Sequence, residues 1–123
     1  MIRLAFALPH GERRHRRALL DYGRLAETGG YESFWVPEAW GSDAISLLGA
    51  LAATTTHIRL ATGIINIFSR SPGLIAQTFA TLDELSSGRM IIGLGTSGSQ
   101  VIERWHGGRF ELAVDPGTWR LVV

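Results

Sequence analysis

Short apolar runs alternate along the chain with longer segments whose apolar residues recur every three or four positions. Ile2 to Leu8 is an apolar run closed by Pro9, His10 and Gly11, the length and punctuation of a buried strand. From Glu12 to Thr28 the residues Ala18, Tyr22, Leu25 and Ala26 share one helical face, and Gly29-Gly30 follow as a stop. Ser33 to Pro37, rich in aromatic and β-branched residues, predicts a second strand. Ser42 and Asp43 open a small apolar helix over Ala44 to Thr55. The β-branched residues after His57 (Ile58, Ile64, Ile65) predict a third strand, with Asn66 to Arg70 at its far end.

Ser71-Pro72 sets a capping hydroxyl before a proline at the first helical position, where the missing N–H costs nothing. Ile75, Thr78, Phe79, Leu82 and Leu85 continue that helix to Ser87, and Gly88 supplies a left-handed residue to end it. Met90 to Leu94 predicts a fourth strand, and Gln100 to Trp105 a short helical piece stopped by Gly107-Gly108. Strands alternating with helices across short connections predict βαβ units on a parallel sheet. Two architectures fit: an open doubly wound sheet, or about four strands of a partial (β/α)8 barrel, since a whole barrel needs about 250 residues.

Composition narrows the function. Twelve basic against eleven acidic residues leave a formal charge of +1, with no electrostatic footprint for nucleic acid or an anionic membrane. The absence of cysteine removes disulfides, thiolate metal sites and a cysteine nucleophile, and fits a cytoplasmic protein. The longest apolar stretch, Ala44 to Ile58, is too short to span a bilayer. No H-E-x-x-H, G-x-S-x-G or P-loop is present.

In either architecture ligands sit at the carboxyl ends of the strands. The loops there carry His10; Glu38 and Trp40; Asn66, Phe68 and Arg70; and Thr96 and Ser97. Glu38 directly follows a strand and is a candidate general acid or base; its bland reading is a solvated carboxylate or an arginine's partner. The arginines over positions 13 to 17 read as a solvated helix face. Gly93, Gly95 and Gly98 spell G-x-G-x-x-G after a strand, with Asp115 downstream, which admits a dinucleotide-binding reading. Against it, the helix before Gly107-Gly108 is too short to cross a sheet, and the glycines then serve tight strand ends.

The blocks Phe34-Trp35-Val36-Pro37-Glu38-Ala39-Trp40-Gly41-Ser42-Asp43-Ala44, Ile58 to Ile64, Arg70-Ser71-Pro72, Ala80 to Arg89 and Gly93-Leu94-Gly95, in one register, resemble the luciferase-like monooxygenase superfamily and, within it, the coenzyme F420-dependent oxidoreductases. The resemblance covers residues 1–107, the amino-terminal half of a (β/α)8 barrel, and leaves 108–123 as an unmatched tail that reads as truncated or frame-shifted. It implies a cytoplasmic oxidoreductase moving a hydride between reduced deazaflavin and a small organic substrate, with FMN as the alternative cofactor. By the same resemblance, Gly63, Ile64 and Ile65 form the strand bulge, with a non-proline cis peptide in several members, that backs the ring. Glu38 lines the ring pocket, and Thr96 and Ser97 contact the ring. Ala39 and Gly98 stand where sugar-phosphate-oxidising and alcohol-oxidising members carry histidine and glutamate, which argues against sugar-phosphate oxidation. The open edges of a half barrel predict self-association; the competing functional reading is an inactive half barrel without tight cofactor binding.

Overall fold

The computed structural model describes residues 3–9 and 16–110. His10, Arg13, Arg14 and Asp115 lie outside the described residues, as does the tail beyond Phe110. The elements in chain order are β1 (Ala5–Ala7), α1 (Arg16–Thr28), β2 (Ser33–Val36), α2 (Ala44–Thr54), β3 (Arg59–Thr62), β4 (Ile65–Asn66), α3 (Pro72–Ser86), β5 (Met90–Ile91), β6 (Leu94–Gly95) and a π-helical turn (Gln100–Trp105).

β1, β2, β3 and β5 form one parallel sheet in that order, and β4 pairs in parallel with β6. Each new strand joins the same edge, and α1, α2 and α3 pack in a row against one another. A doubly wound sheet would reverse its strand order at a switch point and place helices on both faces. Sequential order with neighbouring helices is instead the arrangement of a partial (β/α)8 barrel. The core lies between sheet and helices: Phe34, Val36, Leu60 and Ile65 from the strands meet Ala26, Leu48, Leu51, Ile75, Phe79 and Leu82 from the helices.

Local chemistry starts and stops the helices where the spacing predicts. Asp43 caps α2 by accepting from the Ser46 amide at 2.7 Å, and Ser71 caps α3 by accepting from the Leu74 amide at 3.2 Å. Ser87 (φ 59°) and Gly88 (φ 77°) turn the chain out of α3 through the left-handed region. The buried face of α1 differs from the predicted one. Gly23 and Ala26 are buried while Tyr22 and Leu25 are exposed. The cause is close approach to α2: a Cβ on Gly23 would stand 2.3 Å from Leu51 Cδ2, so the helix turns its smallest residue inward.

The third and fourth predicted strands are each interrupted. Leu60 and Ala61 pair with Met90 and Ile91; pairing resumes at Ile65–Leu94 and Asn66–Gly95. Thr62, Gly63 and Ile64 therefore face only Ile92 and Gly93, so the third strand carries one extra residue, a β-bulge. The Gly63–Ile64 peptide within it is cis. The buried Thr62 hydroxyl bridges the gap in the ladder, accepting from the Gly93 amide at 2.8 Å and donating to the Gly93 carbonyl at 2.9 Å.

At the amino-terminal end of the sheet, Glu27 staples α1 to the loop between α2 and β3. Its Oε1 accepts the successive amides of Thr56 (2.8 Å), His57 (2.7 Å) and Ile58 (3.0 Å). Burial by itself would raise the Glu27 pKa; the amides of His57, Ile58 and Thr56, with the His57 ring close by, outweigh it and hold the pKa at about 2. A depressed carboxylate contributes stability above its unfolded pKa of about 4.3 and loses it as pH falls toward the folded value. Wild type should therefore lose stability progressively between about pH 4.5 and pH 2 in acid-denaturation curves. Glu27→Gln should be less stable at pH 7 by about 1–3 kcal/mol and lack that component of the acid transition.

Candidate active site

The carboxyl ends of β2, β4 and β6 converge. The Glu38 amide donates to the Ile64 carbonyl at 3.2 Å, the Ile65 amide to Gly93 O at 3.0 Å, and the Ile67 amide to Gly95 O at 3.0 Å. Glu38 and the bulge thus share one end of the sheet, as parallel strands ending on a common face require.

Glu38 is fully engaged. Its carboxylate takes a bidentate pair from Arg70, with Nη1 to Oε1 at 2.6 Å and Nη2 to Oε2 at 3.0 Å, and Oε2 also accepts from the Ala44 amide at 3.0 Å. Only 9% of the Glu38 side chain is exposed. Arg70 Nη2 reaches on to Asp43 Oδ1 at 2.8 Å, and Nη1 donates to the Ser69 hydroxyl at 3.1 Å. The hydrogen bond from Arg70 to Glu38, reinforced by the charges of Glu38 and Asp43, raises the Arg70 pKa despite burial. Burial acts to raise Asp43, but hydrogen bonds from Ser46 and with Glu38, together with the Arg70 charge, lower it on balance. The cluster locks the loop after β2, the start of α2 and the loop after β4 into one unit. The sequence reading of Glu38 as an arginine's partner therefore describes its observed bonds; a proton-exchanging role would have to compete with three hydrogen bonds.

Gly63 is exposed although Thr62 and Ile65 on either side are fully buried, and a Cβ at Gly63 would stand 3.1 Å from the Trp35 ring. Ile64 is half-buried beside it and packs against Gly95, where a Cβ would stand 3.1 Å from Cδ1 and Cγ1 of Ile64. Ile65 does not reach the site: it lies in the core under the sheet. Thr96 and Ser97 continue directly from β6; the Thr96 hydroxyl donates to Ser97 O at 3.5 Å, and Ser97 holds φ at 57°. That left-handed conformation is uncommon for a non-glycine residue and typical of positions whose surroundings over-determine them.

The loops above are aromatic. Trp40 and Trp105, each more than half exposed, meet edge to face with centroids 6.1 Å apart, and Phe68 meets Phe110 at 5.7 Å. Asn66 is buried, with Nδ2 3.4 Å from His106 Nε2 and no partner for Oδ1. A bare backbone shelf beside an apolar side chain, with an unpaired buried acceptor alongside, fits a flat ring that carries polar edges. Sequence reasoning placed Asn66 at this end of the sheet but missed its unpaired oxygen, which depends on its partners across 40 residues of chain.

The dinucleotide reading through Gly93, Gly95 and Gly98 is corrected. A Cβ at Gly93 would lie 2.0 Å from Thr62 O, and Gly95 makes room for Ile64, so both glycines serve strand packing, while nothing lies within 4 Å of a Cβ at Gly98. The strand order has no switch point, and a π-helical turn of 6 residues stands where a crossover helix would be needed.

The family model for luciferase-like monooxygenases matches residues 3–115. The chain belongs to the luciferase-like monooxygenase family. It is 46% identical over 85 residues to a Mycobacterium tuberculosis protein that bears the name of a coenzyme F420-dependent oxidoreductase, covering 69% of this chain and 24% of that one. Its fold matches the coenzyme F420-dependent tetrahydromethanopterin reductase of Methanopyrus kandleri with a TM-score of 0.74 and 28% identity, covering 84% of this chain and 29% of that one. It also matches the oxygenating constituent of 3,6-diketocamphane monooxygenase from Pseudomonas putida, a structure in complex with FMN, with a TM-score of 0.76 and 18% identity, over 87% of this chain and 32% of that one. The chain thus spans about a quarter of the curated relative's length. Among the described residues of this luciferase-like chain, no helix is long and apolar enough to cross a membrane.

Proposed function

We propose that this luciferase-like chain supplies the ring-facing part of a coenzyme F420 site in a cytoplasmic oxidoreductase acting on a small organic substrate. The observation that carries the reading is the bare shelf at Gly63–Ile64, open to solvent between buried neighbours and tied to Glu38 through the Ile64 carbonyl. Bound deazaflavin supplies hydride transfer, and the protein's part is to orient the ring and exclude water. Gly63 and Ile64 would back the ring and Thr96 and Ser97 would border it. Glu38 acts as a positioning residue: its amide holds the bulge carbonyl, and its carboxylate, paired with Arg70, fixes the start of α2. Ala39 and Gly98 provide no acid–base pair at those two positions, which argues against sugar-phosphate oxidation. Among the described residues no further strand pairs with the outer edges of β1 and β5, which favours association with a second chain.

Anaerobic titration with F420 and, separately, with FMN tests this reading. Saturable quenching of F420 fluorescence at micromolar concentrations is expected. A saturable spectral change with FMN alone would replace the deazaflavin by a flavin, and no change with either would favour an inactive half barrel.

A further inference from the structure

The bulge re-aims the last residue of the third strand. Leu60 points into the core between sheet and helices, and unbroken alternation would send Asn66 the same way, burying a carboxamide among leucines and isoleucines. The extra residue reverses the phase. Ile65 takes the core-facing position beside Leu94, and Asn66, paired with Gly95, falls on the opposite face of the sheet, at the carboxyl ends of the strands. Gly95, opposite it, has no side chain of its own, and the Ile64 side chain packs over that glycine.

There Asn66 is fully buried. Its Nδ2 lies toward Nε2 of His106 at 3.4 Å, while Oδ1 has no partner. The Thr96 hydroxyl next along β6 points to Ser97 O. Buried carbonyl oxygens without a donor are rare in folded proteins, and each calls for a physical reason. An apolar residue of similar size would remove the cost altogether.

We infer that Asn66 Oδ1 is the acceptor for a ring-borne N–H or O–H donor of the bound cofactor, an assignment that rests on the F420 reading above. A deazaflavin ring offers both kinds of donor: the imide N–H of its pyrimidine edge and the phenolic hydroxyl at its other end. Asn66 then selects a ring with a polar edge over a wholly apolar one, and its amide is kept for binding at the expense of the unliganded fold.

The test compares wild type, Asn66→Leu and Asn66→Asp by anaerobic F420 fluorescence titration and by thermal unfolding without cofactor. Asn66→Leu should weaken F420 binding about tenfold or more, equivalent to about 1.4 kcal/mol. Asn66→Asp, which keeps an acceptor of the same shape, should stay within about threefold of wild type. Without cofactor, Asn66→Leu should unfold at the wild-type temperature or above. A pH titration of F420 absorbance on the wild-type protein identifies the donor: ionisation of the bound hydroxyl displaced to higher pH assigns the phenolic O–H, and ionisation as in free F420 assigns the imide. Equal F420 affinity in wild type and Asn66→Leu overturns the inference while leaving the F420 reading standing. Loss of thermal stability or of folding in Asn66→Leu without cofactor marks a structural amide and also overturns it. Failure of wild type to bind F420 overturns both.

Discussion

Arg89→Met is expected to cost about 3–5 kcal/mol, a large fraction of the stability of a domain this size, read as a fall in the urea midpoint. Among the described residues the half-buried guanidinium has no carboxylate partner. Nε donates to Ser86 O at 2.5 Å, Nη1 to Thr55 Oγ1 at 2.9 Å and Ile58 O at 3.0 Å, and Nη2 to Ala52 O at 3.0 Å and Thr55 O at 3.1 Å. These acceptors are the carbonyl ends of α2 and α3 and the approach to β3, so the cation satisfies groups that a helix leaves unpaired and sits at the negative ends of two helix dipoles. Removing it strands several carbonyls at once. Arg89→Lys should recover little, because an ammonium has three donors around one point and cannot reproduce a planar fork. A midpoint for Arg89→Lys equal to wild type would show that charge alone suffices there.

Gly93→Ala should be as damaging, about 3 kcal/mol or more, because its Cβ would lie 2.0 Å from Thr62 O and 3.1 Å from Thr62 C. Both are backbone atoms, so relief requires opening the junction where the Thr62 hydroxyl bridges to Gly93. Gly95→Ala meets only the Ile64 side chain, at 3.1 Å, and should be milder. Gly98→Ala meets nothing within 4 Å and should unfold at the wild-type temperature. A dinucleotide fingerprint would instead make cofactor binding depend on all three glycines, so thermal shifts across this series separate the two roles.

Much of the fold was legible because its signals are local. Asp43, Ser71-Pro72 and Gly88 act on backbone within a few residues, and the observed helix ends follow them. The face of α1 was less legible: Tyr22 and Leu25 match a helical stripe, yet Gly23 faces inward because Leu51 presses there, a constraint found only in the packed pair. The bulge at Gly63–Ile64 was expected from family resemblance, while its register, three residues against two, appears only when two strands are aligned.

The same division runs through the site. The order of strands and helices, and the carboxyl-end loops carrying Glu38, Asn66, Arg70, Thr96 and Ser97, follow from the chain itself, since periodicity and punctuation encode them. The engagement of Glu38 by Arg70, the grip of Glu27 on three amides, the five donors of Arg89 and the unpaired oxygen of Asn66 were decided by tertiary structure. Each joins, or fails to join, groups far apart in the chain, and a hydrogen bond is a matter of tenths of an ångström that a one-dimensional pattern does not carry.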